Sequence, residues 1–548
     1  MARPMPPAPP VTTAVMPASG RLPSLIHVPL LHGANVSIPP SSANPTWPRP
    51  HASGLTPPMH TVTRNAEIQS GANQFVRALD ALGLAPRASF ATLLPNVPEF
   101  LWTYRAAAWS GRRLTPLSWR WGAEDAKYVV ENCEAELFVA HARFADVAVA
   151  AAASLPPERC ISVGGPIPGF RDYTELVGQF GGEDLDRPLA GDTMLYTSGT
   201  TGRPKGVLRG RVADTRPPSR AGLAGMQMIR TYLPDGDDGV HLVACPLYHA
   251  GPVSYAEGAA LLGADLVLMD GWDAEEFLRL VASHRVTSTF LVPIQFVRLL
   301  RLPPEVRARY DVGSLGLVIH GSAPVAPDVK RAMIEWLGPV LYEFYGGTEG
   351  GGCTISSAEW LARPGSVGRP FPHLELSILD DEGRSVATGV EGEVWFRQPG
   401  EFTYKDDPDK TAAAVRNGLM TLGDIGYVDD EGYLFLCDRR ADVIVSGGVN
   451  IYPAQIEAAL AGFPGLADCC VVGAPDDEWG EMVVAVVEPV EGVELDPEAL
   501  RAFAAGRLAR YQVPRRIDLV GSLPRTETGK LARRAVRNPY WSGRERRI

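Results

Sequence analysis

Short apolar runs alternate with amphipathic segments from about residue 61 through most of the chain. Apolar runs that end near Pro or Gly occupy residues 88–94, 239–244, 286–292, 315–320 and 340–345. Runs of this length predict buried strands, and Asp273 begins a predicted helix whose apolar residues share one face. The alternation predicts a parallel α/β sheet, in which loops after the strand ends commonly bind ligands.

The last hundred residues follow a different order. A strand-like run at residues 482–487 precedes Asp496-Pro497-Glu498, where a capping residue and a proline at the first helical position predict a helix. This order predicts a small separate α+β domain. We place its boundary at residues 438 and 439, just after another strand-like run at 432–436.

The first 58 residues are rich in Pro, Ala and Ser and show no sustained period, which predicts an irregular, Pro-rich leader partly draped on the body. The chain starts with prolines where a signal peptide needs an apolar helical core, and no run of about 18 apolar residues follows. We therefore expect neither export nor a membrane span.

Composition narrows the range of partners. The 548 residues favour two to four domains, and 45% hydrophobic with 21% charged residues is ordinary for a soluble globular protein. The formal net charge of −11 disfavours a nucleic-acid binder. Seven cysteines form no CxxC pair and no Cys/His cluster at metal-ligand spacing, which favours the reducing cytoplasm. Small molecules or proteins are the expected partners.

A loop rich in hydroxyls and glycines surrounds one of only six lysines in the chain. Residues 196–207 read Tyr-Thr-Ser-Gly-Thr-Thr-Gly-Arg-Pro-Lys-Gly-Val. Glycines let backbone N–H groups turn toward an anion, hydroxyls donate hydrogen bonds, and Lys205 adds a positive charge. The loop therefore predicts phosphate binding, with a flexible linker as the alternative. No Gly-Lys pair stands at Walker A spacing, which disfavours an ordinary P-loop NTPase.

Five further motifs follow this loop at wide intervals. They are residues 345–349 (Tyr-Gly-Gly-Thr-Glu), 421–424 (Thr-Leu-Gly-Asp), 438–439 (Asp-Arg), 447–453 (Gly-Gly-Val-Asn-Ile-Tyr-Pro) and 524–530 (Pro-Arg-Thr-Glu-Thr-Gly-Lys). Together with the loop, they resemble the adenylate-forming (ANL) superfamily in its acyl-CoA synthetase branch. The resemblance covers about residues 60 to 548. Within the branch, residues 323–324, 359–368 and 539–541 resemble actinobacterial ligases of fatty acids and steroid acids.

The resemblance implies both a fold class and a reaction. The fold is α/β, with a large N-terminal multi-subdomain α/β domain (residues 59–438) followed by a small mobile α+β C-terminal domain (residues 439–548). In the implied reaction a carboxylate attacks the α-phosphate of ATP, which gives an acyl-adenylate and pyrophosphate, and the CoA thiol then displaces AMP. The implied cofactors are ATP, Mg²⁺ and CoA, and the substrate is a hydrophobic carboxylic acid of fatty, steroid-like or terpenoid type.

Roles for individual residues come from the same resemblance. Lys530 resembles the catalytic lysine that bridges the carboxylate and the α-phosphate, Glu349 the glutamate that directs Mg²⁺, and His249 the gate between the acyl site and the pantetheine tunnel. ATP binding is implied for Thr197, Ser198, Gly199, Thr200, Thr201, Gly202, Lys205, Gly321, Ser322, Ala323, Tyr345, Gly346, Gly347, Thr348, Asp424 and Arg439, CoA binding for Gly447 and Gly448, and a hinge for Ala441. Asp424, placed before a strand, would accept the ribose hydroxyls with support from Arg439.

Departures from the family pattern leave alternatives open. Ala441 stands where many relatives carry Asp or Lys, Gln512 where Lys is frequent, and Leu419 or Met420 where Trp is frequent. One alternative is therefore a single efficient half-reaction, thioesterification of an acyl-adenylate made by a partner adenylating enzyme. A second alternative is acyl transfer to a carrier protein. A non-catalytic nucleotide-binding scaffold is disfavoured because the charged motif residues are all present. The oligomeric state stays open.

Overall fold

The computed structural model describes residues 60–197, 203–209, 220–233, 239–525 and 531–542. The predicted leader lies outside the described residues, as do Ser198, Gly199, Thr200, Thr201 and Gly202 of the phosphate-binding loop and the predicted catalytic Lys530.

The described helices and strands follow one another in three stretches. The first comprises β1 (His60–Thr63), α1 (Asn65–Ala81), β2 (Ser89–Leu93), α2 (Pro98–Ser110), β3 (Arg113–Pro116), α3 (Ala123–Asn132), β4 (Ala135–His141), α4 (Ala145–Ala151), β5 (Cys160–Val163), β6 (Arg171–Asp172), α5 (Tyr173–Val177), β7 (Asp192–Thr193), β8 (Leu195–Thr197) and β9 (Lys205–Arg209). The second comprises α6 (Arg220–Tyr232), β10 (Val240–Val243), α7 (Ala250–Leu261), β11 (Asp265–Met269), α8 (Ala274–His284), β12 (Ser288–Leu291), α9 (Pro293–Leu300), α10 (Pro304–Arg307), β13 (Leu317–Gly321), α11 (Pro327–Leu337), β14 (Leu341–Tyr345), β15 (Cys353–Ser356), α12 (Ser357–Ala362) and β16 (Ser366–Pro370). The third comprises β17 (Glu375–Leu379), β18 (Gly392–Arg397), β19 (Phe402–Tyr404), α13 (Pro408–Ala414), β20 (Val415–Arg416), β21 (Leu419–Val428), β22 (Leu434–Arg439), β23 (Ile444–Ser446), β24 (Val449–Ile451), α14 (Pro453–Leu460), β25 (Leu466–Asp476), β26 (Gly480–Pro489), α15 (Pro497–Ala505), β27 (Arg516–Leu519) and α16 (Arg533–Arg537).

Parallel strands form the centre of the N-terminal part, as the pattern predicted. One sheet has the order β6-β5-β4-β2-β3-β7, with every neighbouring pair parallel. In a second sheet the strands β11-β10-β12-β13-β14 are also parallel. The five apolar runs are β2, β10, β12, β13 and β14, which confirms the predicted α/β architecture.

The second sheet continues beyond its parallel core in antiparallel pairs. The order runs from β14 through β15, β16, β22, β21 and β18 to β17. A smaller antiparallel sheet, β19-β9-β8, holds the two strands on either side of the phosphate-binding loop. These two antiparallel regions bring motifs from distant parts of the chain toward the end of β14.

Local signals explain why the predicted helices begin where they do. The side chain of Asp273 accepts a hydrogen bond of 2.8 Å from the N–H of Glu276 at the start of α8, and Phe277, Leu280 and Val281 are buried. Asp496 likewise accepts a bond of 2.9 Å from the N–H of Glu498 before α15. Each cap satisfies one N–H group that the helix itself cannot pair.

The C-terminal strands build a sheet and a core of their own. The sheet has the order β24-β23-β26-β25, and β27 pairs with β26. Ile444, Val471 and Ala485 are fully buried between this sheet and the helices α14 and α15. The arrangement is the predicted small α+β domain. Strand β22 extends to Arg439, so the boundary at residues 438 and 439 stays a prediction.

Two hydrogen bonds involve the residues that follow β22. A guanidinium N–H of Arg537, in the last helix, donates a 3.0 Å hydrogen bond to the carbonyl oxygen of Ala441, the predicted hinge residue. The second joins the C-terminal strands to the N-terminal part: the hydroxyl of Tyr452, after β24, donates a 2.7 Å bond to Glu391. The predicted hinge residue Ala441 is therefore held through its backbone carbonyl oxygen, by a bond that does not require a charged side chain at this position.

The pKa of Asp438, beside this hinge, predicts a pH-dependent stability. Burial raises the pKa of Asp438 to about 6 against the opposing charge of Arg533, whereas an unfolded aspartate titrates near ~3.9. Between about pH 4 and pH 6 the folded chain thus keeps a proton that the unfolded chain has released, so stability falls as pH rises through this window. We expect the thermal midpoint of the wild type, relative to Asp438→Asn, to fall from pH 4 to pH 6.5. A difference that rises with pH would contradict the assignment.

The described residues include all seven cysteines, which are buried and free of disulfide bonds. Burial raises the pKa of every thiol, for example that of Cys245 to about 12 and that of Cys160 to about 11. The thiols therefore stay protonated at neutral pH and are poor nucleophiles. Within the described ranges, no helix combines the length and the apolar character that crossing a membrane requires.

Candidate active site

The two ends of the phosphate-binding loop face each other in a hairpin. Thr197 ends β8, Lys205 begins β9, and the two residues are register partners. The Nζ atom of Lys205 lies 2.5 Å from Oδ2 of Asp407, and this hydrogen bond lowers the pKa of the Asp407 carboxyl. Asp407 also accepts the N–H of Lys410, 3.1 Å away, at the start of α13. The sequence analysis did not identify Asp407.

Tyr345, Asp424 and Arg439 meet although 94 residues separate the first from the last. The hydroxyl of Tyr345 donates a 2.6 Å hydrogen bond to Oδ2 of Asp424, and Nε of Arg439 lies 3.3 Å from Oδ1. Asp424 and Arg439 are also register partners on β21 and β22. The charge of Asp424 raises the pKa of Arg439. Tyr345 and Glu349 raise it further. The three residues implied by the resemblance thus form one polar cluster.

One local prediction for this cluster was wrong. Asp424 lies inside β21, not before a strand. Gly423, beside it, has a φ of +78°, and its N–H donates a 2.9 Å bond to the hydroxyl of Thr421. The glycine therefore lets the strand distort locally without ending, and the pairing register shifts two residues later.

Glu349 is placed by a Gly-rich turn between β14 and β15. The hydroxyl of Tyr404 donates a 2.7 Å hydrogen bond to Oε1 of Glu349, and Nε2 of Gln398 donates a 3.1 Å bond to its carbonyl oxygen. Nε of Arg209, at the end of β9, donates a 2.9 Å bond to the carbonyl oxygen of Thr348. The turn that carries Glu349 is therefore tied to the strand that carries Lys205.

Glycine is required where the turns approach their neighbours. A Cβ atom on Gly321 would lie 2.2 Å from the carbonyl oxygen of Phe344. A Cβ atom on Gly346 would lie 2.7 Å from the Phe344 ring, and one on Gly347 2.5 Å from Leu422. At Gly321 the neighbour is backbone, so a side chain there would force the strands apart, whereas at Gly346 and Gly347 the Phe344 and Leu422 side chains would have to move.

The turn after β13 is strained as well as narrow. Ser322, between Gly321 and Ala323, has a φ of +70°, a conformation that non-glycine residues rarely adopt. Such strain costs energy and is commonly found at functional sites. The turn predicted to bind ATP thus carries a structural sign of function besides its sequence.

A buried ion pair supports the strands beneath these turns. Nζ of Lys330, on α11, lies 2.5 Å from Oε2 of Glu343, on β14, and both side chains are nearly or fully buried. Nε2 of His320, on β13, lies 4.0 Å from the same oxygen, and burial together with the Lys330 charge holds the pKa of His320 far below its usual value. His320 therefore stays neutral, and the Lys330–Glu343 pair ties α11 to β14 two residues before Tyr345.

His249 follows β10, which β12 and β13 separate from β14 in the sheet. It is the last residue before α7, and its ring centroid lies 4.2 Å from that of Tyr248. Trp119 packs edge-on against Tyr248 and stacks on Phe144. The predicted gate residue thus belongs to an aromatic wall, and its catalytic role stays a prediction.

Arg525 is the last residue before Lys530 that the structure describes. The charge of Arg525, five residues earlier in the sequence, is close enough to lower the pKa of Arg298 on α9, after burial as the main cause. Arg120 contributes to the same shift, and its guanidinium lies over the Trp119 ring, 5.1 Å from the centroid. Arg525 and Arg120 are therefore both within electrostatic reach of Arg298.

Gly447 and Gly448 form the tight turn between β23 and β24. Their φ values are +58° and +80°, and the N–H of Gly447 donates a 2.8 Å bond to the carbonyl oxygen of Trp479. A Cβ atom on Gly447 would lie 2.5 Å from the Trp479 ring. The turn explains these glycines by itself, so CoA binding here stays a prediction.

Sequence reasoning missed Tyr404 and Asp407, which contact two predicted site residues. Neither belongs to a recognised motif, and both reach the site through the pairing of β19 with β9. One signal was available: in a chain with six lysines, Lys405 and Lys410 stand next to these two residues.

Comparison with known proteins gives consistent results. The family model described as AMP-binding enzyme matches residues 65–403, and the model of the AMP-binding enzyme C-terminal domain matches residues 455–530. An indoleacetate–CoA ligase of Aromatoleum aromaticum is 34% identical over 484 residues, which cover 86% of this chain and 92% of the relative. The fatty acid–[acyl-carrier-protein] ligase ScoC of Streptomyces coeruleorubidus is 30% identical, with 88% and 92% covered.

A solved structure agrees in fold over nearly the same length. The ATP-bound MatB from Rhodopseudomonas palustris superposes with a TM-score of 0.75 at 27% identity, covering 87% of this chain and 93% of MatB. Because one family model spans more than half of the chain and two relatives match along most of their length, this chain belongs to the AMP-binding enzymes of the adenylate-forming (ANL) superfamily, in its acyl-CoA synthetase branch.

Proposed function

We propose that the protein is an ATP-dependent ligase that converts a hydrophobic carboxylic acid to an acyl-adenylate and transfers the acyl group to CoA. The observation that carries the proposal is the cluster of Tyr345, Asp424 and Arg439 beside Glu349. It joins a carboxylate suited to ribose hydroxyls, an aromatic ring and a carboxylate suited to Mg²⁺ in one place. The family membership supports the same assignment.

The first step brings two anions together, so the site must neutralise developing charge. Lys205 and the hydroxyls of loop 198–202 would hold the β- and γ-phosphates. Lys530 would lie between the attacking carboxylate and the α-phosphate. Asp424, already bonded to Tyr345 and Arg439, would accept the two ribose hydroxyls and fix the nucleotide along the sheet edge.

Glu349 fits a role in Mg²⁺ binding. Magnesium in nucleotide sites commonly uses one or two carboxylates and completes its shell with phosphate oxygens and water. Across the described ranges, no group of three or more His, Cys, Asp or Glu side chains could hold a metal by itself. A single carboxylate at the end of the turn therefore suits a metal that arrives with the triphosphate and neutralises its charge.

The acceptor of the acyl group is proposed to be CoA. The resemblance of the Gly447-Gly448 turn to the CoA-channel loop and the 34% identical CoA ligase support this choice. Acyl transfer to a carrier protein is the second candidate, because a relative of similar coverage is named as an acyl-carrier-protein ligase. Both acceptors present the same phosphopantetheine thiol, so a direct comparison of acceptors separates them.

The acid is proposed to be hydrophobic. The relatives act, by name, on indoleacetate and on fatty acid, which both join an apolar group to a carboxylate. Trp119, Tyr248 and His249 give the proposed acyl side an aromatic surface. Fatty, steroid-like and terpenoid acids remain the proposed classes, with arylacetic acids added by the comparison.

Pyrophosphate release and thioester formation, recorded separately, test the proposal. Purified protein is given ATP, Mg²⁺ and a panel of fatty, steroid, terpenoid and arylacetic acids, with CoA or a phosphopantetheinylated carrier protein as acceptor. We expect both products with CoA. Thioester on the carrier alone would favour the second candidate, and neither pyrophosphate nor thioester with any acid would contradict the ligase assignment.

A single efficient half-reaction is tested with a synthetic acyl-adenylate. Thioester from this intermediate, without pyrophosphate release from ATP and the free acid, would support a thioesterifying enzyme that depends on a partner. Comparable rates of the two half-reactions would exclude it. The Ala441→Lys variant shows whether the hinge limits turnover, because an unchanged overall rate would mean that a charged residue is not required there.

A further inference from the structure

One segment outside the recognised motifs contacts both groups proposed to handle the triphosphate. It comprises β19, the turn after it and α13, residues 402–414, and we refer to it as the β19–α13 segment. Strand β19 pairs with β9, and the N–H of Lys405 donates a 2.8 Å hydrogen bond to the carbonyl oxygen of Gly206, next to Lys205. The segment is thus attached by backbone bonds to the strand that follows the phosphate-binding loop.

The first contact is between Tyr404 and Glu349. The Tyr404 ring is buried, and its hydroxyl donates a 2.7 Å hydrogen bond to one carboxylate oxygen. A donor of this kind holds one carboxylate oxygen and thereby sets the orientation of the other.

The second contact is between Asp407 and Lys205, whose charged atoms are 2.5 Å apart. The same Asp407 carboxylate accepts the N–H of Lys410 and so is itself fixed at the start of α13. A lysine side chain loses considerable conformational freedom when it is held in one place. Because Asp407 already restrains Lys205, less of that cost falls on nucleotide binding.

Lys410 connects the two contacts. Its Nζ atom lies 3.9 Å from the centroid of the Tyr404 ring, on the residue that bonds Glu349. Burial and the charge of Lys205 lower the pKa of Lys410, while Glu349 and Asp407 oppose the shift. The charges of Lys205, Lys410, Glu349 and Asp407 therefore lie in one small region. A bound triphosphate and its Mg²⁺ would occupy this region together.

We propose that the β19–α13 segment positions the two phosphate-handling groups, with Tyr404 orienting Glu349 for Mg²⁺ and Asp407 restraining Lys205 for the triphosphate. The inference rests on the proposed function, since it assigns Glu349 and Lys205 to Mg²⁺ and ATP. Tyr404 and Asp407 act through these neighbours and are positioning residues.

The test for Tyr404 is the Tyr404→Phe variant, which keeps the ring beneath Lys410 and removes only the hydroxyl. The Mg²⁺ concentration that gives half-maximal ATP binding, measured by calorimetry without any acid, is expected to rise about 3- to 10-fold, the size of a typical hydrogen bond's net contribution. Thioester formation from a synthetic acyl-adenylate is expected to stay normal.

A matched control exists at Tyr433, whose hydroxyl donates a 3.0 Å bond to Glu359 outside the site. Tyr433→Phe should leave the Mg²⁺ dependence unchanged. An unchanged or lowered Mg²⁺ requirement in Tyr404→Phe would overturn the inference, as would an equal loss in both half-reactions with a lowered thermal midpoint, which would mark a structural role.

The test for Asp407 is the Asp407→Asn variant. Asn also caps helices, so the substitution removes the charge and retains the start of α13. We expect the KM for ATP to rise several-fold while thioester formation from the acyl-adenylate is retained. Asp273→Asn, at the equivalent position of α8, is the control and should leave the KM unchanged. An unchanged KM in Asp407→Asn would overturn this part.

Failure of the proposed function has a different signature. A wild-type protein that binds Mg²⁺-ATP but accepts no acid would contradict the ligase assignment and leave the binding comparison of Tyr404→Phe decisive. A wild-type protein that binds no ATP at all would overturn both proposals together.

Discussion

Replacing Lys530 by Ala is expected to slow acyl-adenylate formation by about 100- to 1,000-fold, the usual loss when a group that stabilises transition-state charge is removed. Negative charge develops where the carboxylate attacks the α-phosphate, and the lysine would lie between them. The thiol step meets no such pair of anions, so thioester formation from a presynthesised acyl-adenylate is expected to continue. Pyrophosphate release and thioester appearance, assayed separately, measure the two effects.

The control for this prediction lies in the same C-terminal segment. Arg534 is exposed on α16, four residues after Lys530, and Arg534→Ala removes a positive charge from the same region. We expect normal rates for this variant in both assays. If Lys530→Ala lost both half-reactions to the same degree, Lys530 would be structural, and the resemblance of residues 524–530 to the catalytic motif would not extend to function.

Replacing Glu257 by Ala is expected to lower the free energy of unfolding by about 3–5 kcal/mol, the usual cost of leaving a buried charge unpaired. Nε and Nη2 of Arg105, on α2, donate bonds of 2.9 and 3.0 Å to the two carboxylate oxygens of Glu257, on α7. Both side chains are 0% exposed. Asn65 accepts a further 2.6 Å bond from Arg105 but carries no charge to replace the carboxylate. Urea unfolding measures the change.

An exposed ion pair supplies the comparison. Glu375 and Arg397 face each other across β17 and β18 at 3.2 Å, with side chains 77% and 50% exposed. Glu375→Ala should change stability by less than about 1 kcal/mol, because water already screens such pairs. The Arg105→Met/Glu257→Leu double variant should recover much of the loss, since it removes both charges. A loss in Glu257→Ala no larger than in Glu375→Ala would contradict the assignment.

The parallel core of the fold was predictable because its signals are local. Strands such as β12 and β13 are buried on both faces and read as continuous apolar runs. Helices such as α8 carry their own caps. The antiparallel continuation through β15 to β18 and β21 to β22 was not predicted, because two of its pairings, β16 with β22 and β18 with β21, join strands that are not consecutive in the chain. Asp424 was predicted to lie before a strand and not within one, because the neighbouring Gly423 is typical of a strand boundary in the sequence.

The candidate site shows the same difference between signals within a short stretch of sequence and contacts that depend on the tertiary fold. Lys205 stands in a loop whose residue types by themselves suit phosphate binding, whereas the roles of Tyr345, Glu349 and Asp424 came from the resemblance to a family. Their grouping was implied only by the resemblance to a family. The 2.6 Å contact between Tyr345 and Asp424 joins β14 and β21, which are separated in the sheet by β15, β16 and β22, so it depends on the tertiary fold.

The chain's own order of residues was sufficient to predict the α/β class, the small C-terminal α+β domain and a candidate phosphate-binding loop, because strand burial, helix caps and Gly-rich turns depend on neighbours within a few positions. Folding alone established the contacts of Tyr404 with Glu349, 55 residues apart, and of Asp407 with Lys205, 202 residues apart. A hydrogen bond acts over about 3 Å, whereas such separations along the chain are bridged only when β19 pairs with β9.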